Sequence, residues 1–297
     1  MTSTPSQLPS QSADPGFSGQ VCTALLCLAL APFAAFAKGD PLCDHYEFRL
    51  AMAAGDMPKF DTMLKQCRAR GVLPVDDNGG GSLLHLAAHV GRQLAPEFMR
   101  RALKAGVDPN ALNDDGVPAM FMVARFGCTD CIAILKAAGA SVMARDPDQL
   151  TPLHEAGQAT IPAFIAAGAD PLARDAFGNV PLHRVFHPEL LVAGSNVRNL
   201  AGLAPLHFAA LVGSVSRIDA LLAAGADPAL KTTKDSHWRA SHMSRSFGPG
   251  IPIPADATAY DLARQRQKET QWVTHGHDGA VERLKAVTPR GGWSLFR

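Results

Sequence analysis

Apolar residues are distributed in two different ways along this chain of 297 residues. Between Val21 and Ala37 they form one run that only Thr23 and Pro32 interrupt. From about residue 44 onward they occur instead in short groups of similar sequence that recur and are separated by turn residues. The first pattern is typical of an export signal or a membrane segment, and the second is typical of a repeated structural unit.

The first run predicts a secretory signal peptide over residues 1–37. Its 17 residues are at the lower limit for a membrane span. It ends in Ala35-Phe36-Ala37, the small-x-small pattern that signal peptidase prefers, directly before Lys38. An uncleaved anchor and a buried helix are the alternatives. The segment before the run contains no Lys or Arg, which is a departure from the usual signal peptide.

Two phrases recur through the rest of the chain. One is a turn that begins with Ala-Gly, as in Ala167-Gly168-Ala169-Asp170-Pro171 and Ala224-Gly225-Ala226-Asp227-Pro228. The other places a Leu-His pair two residues after a Ser, Thr, Val or Ala. It occurs at Leu83-Leu84-His85, Thr151-Pro152-Leu153-His154, Val180-Pro181-Leu182-His183 and Ala204-Pro205-Leu206-His207.

In these phrases the sequence resembles the ankyrin repeat. The resemblance implies an all-α solenoid of stacked helix-turn-helix repeats with short β-turn fingers. The residue that begins the Leu-His phrase, or its equivalent, recurs at positions 82, 118, 151, 180, 204 and 258. Two of the intervals are near the ankyrin period of about 33 residues, two are shorter and the last is longer.

The same comparison divides the chain into six parts. We expect two shortened repeats between residues 146 and 203, because Pro162 falls where a second helix should begin and Pro188 ends a first helix early. The parts are a signal peptide (1–37), a capping helix hairpin (38–77), ankyrin repeats (78–230), an inserted loop (231–257), a last repeat (258–288) and a tail (289–297).

Charge and composition narrow the class of partner. The formal net charge is +1, and 47% of the residues are hydrophobic. A nucleic-acid-binding protein normally carries a strongly basic face, so we expect no nucleic-acid partner. The apolar fraction also excludes a wholly disordered chain.

Cys43 and Cys67 predict a disulfide. They flank a helical hairpin that turns near Gly55 and Asp56, so the two cysteines lie opposite each other. Such a bridge suits an oxidising compartment. Two unpaired thiols are the alternative.

Cys128 and Cys131 form a C-x-x-C motif at the start of a predicted second helix. A helix N-terminus lowers the pKa of a thiol, as in thioredoxin-like oxidoreductases. That motif needs a βαβ context, which this sequence lacks. A local disulfide or buried thiols are therefore favoured over redox catalysis or metal binding.

The recurring histidines resemble a row of metal ligands, but each occupies one position per repeat. Neighbouring helices lie about 8–10 Å apart, whereas ligands of one ion lie about 2 Å from it. Hydrogen bonding to neighbouring turn backbone is the favoured interpretation, and no metal site is expected.

Candidate chemistry is otherwise absent from the sequence. It contains no Ser-His-Asp phrase, phosphate-binding loop or paired-carboxylate motif. We therefore expect no enzyme activity and no cofactor.

The resemblance implies that partners dock on the turn fingers and on the exposed face of each first helix. Apolar residues at some of these positions indicate interface anchors, although irregular repeats could instead bury them; Leu211 and Val212 are two such residues. Trp238, in the inserted loop, is a further candidate. The binding candidates are Asp114, Asp115, Arg125, Phe126, Asp148, Phe177, His187 and Trp238.

These features predict a monomeric, non-catalytic protein-protein interaction module or scaffold in the periplasm of a bacterium or outside the cell. After signal cleavage no stable membrane insertion is expected. One alternative is a secreted effector or a toxin-neutralising immunity protein. Another is a thiol-disulfide redox protein that uses Cys128 and Cys131.

Overall fold

The structure of this chain is a computed structural model. The structure describes Cys43 and residues 45–71, 81–238, 251–270 and 277–289. The predicted signal peptide over residues 1–37 and all but the first residue of the 289–297 tail lie outside these residues.

The described residues form short helices that follow one another in pairs. Two of the first helices in these pairs are reduced to single turns of 3-10 helix, Pro152–Glu155 and Pro181–His183. The α-helices are α1 (His45–Ala54), α2 (Met57–Ala69), α3 (Leu83–His89), α4 (Ala95–Lys104), α5 (Ala119–Phe126), α6 (Thr129–Ala137), α7 (Ile161–Ala166), α8 (Pro188–Gly194), α9 (Pro205–Val212), α10 (Val215–Ala223), α11 (Ala259–Thr270) and α12 (Asp278–Val287).

The helix pairs stack in two layers. In the inner layer α3, α5, the two 3-10 turns, α9 and α11 contact one another in that order. In the outer layer α2 packs on α4, α4 on α6, and α6 on α7, while α10 packs on α12 at the other end. Each unit therefore buries its apolar face mainly against its neighbours in the stack.

The first helical hairpin closes the N-terminal end of the described stack. Its turn is at Gly55, whose φ of +67° favours glycine. Asp56 then caps α2 by accepting a hydrogen bond from the Lys59 backbone N–H at 2.9 Å. Inside the hairpin the ring of Phe60 lies between those of Phe48 and Phe98, with centroid distances of 5.4 and 4.8 Å.

Phenylalanines contribute to the core alongside Ala and Leu. In the structure Phe121 and Phe164 are also fully buried, as are the three rings of the hairpin cluster. Phenylalanine thus contributes much of the core volume between the helices.

The third unit is short because its first helix has only four residues. The chain then turns back through Gly157, whose N–H donates to the Ala124 carbonyl at 2.9 Å. The hydroxyl of buried Thr160 donates to the same carbonyl, also at 2.9 Å. Pro162 lies in the first turn of α7, where its missing N–H breaks no helical bond. Hydrogen bonds to α5 thus hold this unit in place.

The recurring histidines link successive units. The Nδ1 atoms of His85, His154 and His183 accept from the backbone N–H of Ser82, Thr151 and Val180, three residues earlier, at 3.0–3.1 Å. Each Nε2–H then donates to a carbonyl of the next unit, at Val117, Asn179 and Leu203, at 2.9–3.1 Å. This is the backbone role that the sequence predicted for them.

A β-ribbon lies within the region predicted as an inserted loop. Strands β1 (Ser236–Trp238) and β2 (Ile251–Ile253) pair antiparallel, with Ser236 opposite Ile253. Thr232 joins the two sides of the base: its hydroxyl donates to the Pro254 carbonyl at 2.6 Å and accepts from the Ala257 N–H at 2.9 Å. The predicted loop thus has an ordered base, and residues 239–250 lie outside the described part.

A small apolar cluster attaches this ribbon to the stack. Ile253 is 1% exposed and packs with Leu203, Leu211 and Leu262. The expectation that Leu211 is exposed on the binding surface is therefore wrong, because the ribbon covers it. Val212, the next residue, is 50% exposed.

Candidate protein-binding surface

The predicted binding residues lie mostly on the turn fingers and at the ends of the inner-layer helices. We call this the finger-helix surface. It comprises the exposed side chains of the inner-layer helices and their following turns, together with the tips of the fingers.

Phe126 is the aromatic residue at the end of α5, and 39% of it is exposed. The ring of His89, at the end of α3, packs against it with the centroids 4.3 Å apart and the planes inclined by 51°. The His89 ring therefore supports one side of Phe126, which stays partly exposed.

Two arginines lie near the end of α5. A Cβ atom on Gly127 would lie 2.7 Å from the guanidinium of Arg92, so Arg92 occupies the space beside that glycine. The φ of +81° at Gly127 also favours glycine at this position. Arg125 directly precedes Phe126 in the chain, and its side chain is half exposed. Aromatic residues and Arg are the types most enriched among interface anchors.

Glu155 fixes the position of Arg125. Its Oε2 accepts from the Arg125 guanidinium at 2.6 Å, and its Oε1 lies 3.5 Å from that of Arg184. Only 13% of the Glu155 side chain is exposed. One carboxylate from the third unit thereby orients arginines from the second and fourth units.

Further along the surface, two polar side chains are engaged in the shortened units. Gln158 donates to the Phe186 carbonyl at 2.5 Å. His187 caps α8, since its Nδ1 accepts from the Glu189 N–H at 3.3 Å. The candidate His187 is therefore half-buried and in part structural.

The finger tips change in character along the stack. Asp114 and Asp115 are exposed and Asp148 is half-buried. The next two tips are apolar, with Phe177 60% and Leu200 64% exposed. Backbone bonds connect these later tips: Ala176 N–H donates to the Asp148 carbonyl and Leu200 N–H to the Phe177 carbonyl, both at 3.0 Å.

Two arginines connect neighbouring fingers through hydrogen bonds to backbone carbonyls, and we call this arrangement the arginine ladder. The guanidinium of Arg145 donates to the carbonyls of Gln149 and Arg174, at 2.6 and 2.8 Å. That of Arg174 repeats this pattern with Gly178 and Arg198, at 2.9 Å each. Neighbouring fingers are thus held at a fixed spacing.

Arg92, Glu155 and this ladder were not among the residues predicted from the sequence. A signal for the ladder was available, because Arg145, Arg174 and Arg198 each stand six residues before the start of a Leu-His phrase. Arg92 and Glu155 have no such recurrence. They gain their roles only from contacts between units.

Trp238 lies in β1, and its side chain is outside the described part. Of the other candidates, the structure places Phe126 against His89 and Arg125 against Glu155. It places Phe177 beside Leu200 on the fingers.

The structure brings the cysteines of the described residues together in two pairs, each close enough to form a disulfide. Cys43 and Cys67 have Cα atoms 5.5 Å apart, and Cys128 and Cys131 have theirs 5.3 Å apart. Cys128 is 2% exposed and Cys131 is fully buried. A substrate disulfide would have to reach these sulfur atoms to exchange with them, and burial blocks that approach.

The buried histidines are not placed to bind a metal. No group of three His, Cys, Asp or Glu side chains within the described ranges could hold one. Burial lowers the pKa of both His183 and His207 to about 4, and it also lowers the pKa of His154. These rings are therefore neutral structural groups at neutral pH.

Comparisons with known proteins agree with this architecture. A family model described as "Ankyrin repeat" matches residues 201–233. The chain is also similar to a solved ankyrin repeat domain, that of Bcl-3, described as a unique member of the IkappaB protein family. That match has a TM-score of 0.52 and 27% identity over 63% of this chain and 89% of that one. The fold is an all-α ankyrin-repeat solenoid, as predicted.

A curated relative is the E3 ubiquitin-protein ligase KEG of Arabidopsis thaliana. It is 33% identical over 109 residues, which are 35% of this chain. The chain spans only 6% of that relative's length. The ankyrin repeats indicate a protein-protein interaction module, because this fold is typically a binding scaffold without catalysis.

Proposed function

We propose that this protein is a non-catalytic interaction module or scaffold that is exported to the periplasm or the cell exterior of a bacterium. Its partner is another protein, which docks on the finger-helix surface. The observation that carries the docking site is the partly exposed ring of Phe126, which packs against His89 at the end of α5, where Arg125 is also exposed.

The side chains of Phe126 and Arg125 are preorganised for binding. A side chain that is already held in one position loses less conformational freedom on binding, so more of the contact energy appears as affinity. His89 restrains Phe126, and Glu155 restrains Arg125. Interface residues with large effects are enriched in aromatic residues and Arg.

Export is proposed from the sequence of the first 37 residues and is supported by the cysteines. Two disulfides suit an oxidising compartment better than a reducing one. Within the part of the chain that the structure covers, no helix is both long and apolar enough to cross a membrane.

A non-catalytic role is supported by the chemistry of the buried groups. In three of the units both ring nitrogens of the histidine form hydrogen bonds with the backbone. The C-x-x-C sulfur atoms are buried. These groups stabilise the fold and are not available to a substrate.

The docking site is tested by affinity capture from the native compartment. The bait is the double variant Arg125→Glu with Phe126→Ala, compared with the unaltered protein. We expect the variant to lose at least about tenfold of the captured partner, because truncation of a central anchor typically costs about 2 kcal/mol or more.

A matched control changes the same residue types away from this surface. Arg283→Glu with Tyr46→Ala alters one exposed arginine and one exposed aromatic residue at the two ends of the stack. Circular dichroism checks that both variants are folded. Equal capture by the two variants would move the docking site elsewhere.

Export is tested separately by cell fractionation and N-terminal sequencing of the mature protein. We expect the mature chain in the periplasm or medium to begin at Lys38. A chain found in the cytoplasm with residues 1–37 intact would contradict the proposal.

A further inference from the structure

A basic groove lies on the outer layer, between α2 and α4. It has a volume of about 790 Å³. Its four most exposed cations are Lys65 and Arg68 on α2, and Arg100 and Lys104 on α4. We use the name basic groove for the cleft between these four side chains.

The groove concentrates positive charge in a chain that is otherwise nearly neutral. Five cationic side chains line it, the fifth being Arg101, against two acidic ones, Asp61 and Glu97. The excess of three positive charges in this single cleft compares with a net charge of +1 for the whole chain.

The two acidic residues are already engaged at one end of the groove. Arg101 lies between them and pairs with both Asp61 and Glu97, and the bond from its Nε to Glu97 measures 2.8 Å. Glu97 also lies 3.6 Å from Arg100. Among the described residues, Lys65, Arg68 and Lys104 form no ion pair.

The stability of the fold does not account for this arrangement. Like charges one helical turn apart destabilise a helix. Cations in the last turn do favour the helix dipole, which covers Arg68 and Lys104. Arg100 pairs with Glu97 one turn earlier. Lys65 lies before the last turn of its helix, so the dipole does not explain it.

We propose that the basic groove binds an acidic, extended segment of a partner protein. Cations three or four residues apart on a helix are separated by roughly 4.5–6 Å along its axis. Alternate side chains of an extended peptide lie about 6.6–6.8 Å apart on one face. Carboxylates at alternate positions can therefore approach the two rows of cations in turn.

The floor of the groove suits a peptide as well. Leu64 is 5% exposed and forms part of the lining, with Ala69 and Ala105. Lys and Arg side chains add apolar stems beneath their charged ends. Small side chains between the carboxylates of a peptide would contact these surfaces.

A protein segment fits this groove better than a nucleic acid or a lipid surface does. Asp61 and Glu97 lie within the lining and would repel a continuous row of phosphates. A peptide can place its carboxylates beside the cations and a neutral residue beside the acidic end. The groove thereby selects for spaced negative charges.

This site is separate from the finger-helix surface. The basic groove lies between outer-layer helices, whereas Phe126 and Arg125 lie on the inner layer. The inference does not rest on the proposed function, and occupation of one surface leaves the other open. A protein with both surfaces could hold two partners at once.

The test is fluorescence anisotropy with a labelled peptide of alternating Glu and Ser, measured on the full mature chain at low salt. We expect saturable binding that weakens as salt is added, because exposed charges are screened. The double variant Lys65→Glu with Lys104→Glu should weaken binding by about tenfold or more.

The matched control makes the same change of charge elsewhere. Lys234→Glu with Lys285→Glu alters two exposed lysines far along the chain and should leave binding within about twofold. The variant Phe126→Ala should also bind the peptide normally, which separates this proposal from the function proposed above. Circular dichroism confirms that each variant is folded.

Three results would overturn the inference. The first is an unaltered protein that binds a Lys-Ser peptide as well as the Glu-Ser peptide. The second is an equal loss of binding in the control double variant. The third is a single-stranded oligonucleotide or a phosphatidylglycerol vesicle that binds as tightly as the peptide and depends equally on Lys65 and Lys104.

Discussion

The carboxylate of Glu155 holds the guanidinium of Arg125, with 2.6 Å between Oε2 and the guanidinium nitrogen. The two residues come from neighbouring units of the stack, 30 positions apart in sequence. The pair thus connects the position of a surface arginine to the packing of the next unit.

Glu155→Gln should therefore affect both stability and binding. The change leaves Arg125 and Arg184 near each other without their shared carboxylate, so we expect a loss of about 1 kcal/mol in the free energy of unfolding. Partner capture should fall less than for Phe126→Ala. Urea denaturation measures the first effect.

The control for this prediction is Glu282→Gln. Glu282 pairs with Lys285 at 3.7 Å, and both side chains are more than 60% exposed. Exposed pairs contribute little, so this change should stay within about 0.5 kcal/mol. A loss as large as that of Glu155→Gln would show that the position of the pair does not matter.

Thr160 is a second residue that connects two units, because its hydroxyl donates to the Ala124 carbonyl of the preceding unit. Thr160→Val keeps the shape of the side chain but leaves the Ala124 carbonyl without the hydroxyl donor. We expect a loss of about 1–2 kcal/mol in the free energy of unfolding, and faster proteolysis within residues 155–200.

Thr160→Ser provides the comparison, because it retains the hydroxyl and removes only a methyl group. It should keep most of the stability that Thr160→Val loses. If both variants were equally destabilised, packing rather than the hydrogen bond would be responsible.

Stability should fall in mild acid because of the buried histidines. Burial lowers the pKa of His183 to about 4, while the unfolded chain has the ordinary value near 6.5. Between these pH values the unfolded state binds the proton and the folded state does not, so stability is lost as the pH falls from about 6.5 toward 4. His207, with the same pKa of about 4, adds to this loss.

Each of the two rings should contribute about 2 kcal/mol of lost stability between pH 7 and pH 5. Thermal unfolding over this range measures the total. His183→Gln removes one titrating group, so its unfolding should depend less on pH than that of the unaltered protein. An unchanged slope would contradict the assignment.

The disulfide between Cys43 and Cys67 should stabilise the first hairpin. It closes a loop with a sequence separation of 24, for which the chain-entropy model gives roughly 3 kcal/mol. Cys43→Ser with Cys67→Ser should lower the free energy of unfolding by about that amount. Mass spectrometry of unreduced peptides checks that the bond is present.

The second cysteine pair is the internal comparison. Cys128→Ser with Cys131→Ser opens a much shorter loop, with a separation of three, so the entropic loss should be smaller. Both double variants should keep partner capture once folded. A loss of capture in the second variant alone would revive the redox interpretation.

Local sequence signals predicted the architecture well. The Leu-His phrases and the Ala-Gly turns mark helix starts and ends through interactions a few residues apart, as between His85 and Ser82. Such signals are present in the sequence whether or not neighbouring units are known. The repeat fold and the backbone role of the histidines could therefore be predicted.

Contacts between distant residues could not be predicted in this way. Leu211 is buried because Ile253 of the inserted ribbon packs on it, 42 residues later in the chain. The support of Phe126 by His89 and the pairing of Glu155 with two arginines likewise depend on how units stack. Phe126 and Phe177 are exposed in the structure, but the contacts around them arise from residues of neighbouring units and could not be read from one repeat.

The inserted ribbon has a consequence for protein engineering. Thr232 bonds to both Pro254 and Ala257, and Ile253 sits in its own apolar cluster, so the register of the last repeat is set at the base of the ribbon. Sequences exchanged beyond the paired strands would leave these anchors in place. The chain between the paired strands is thus a graft point, where foreign peptides of different lengths can be displayed on an intact scaffold.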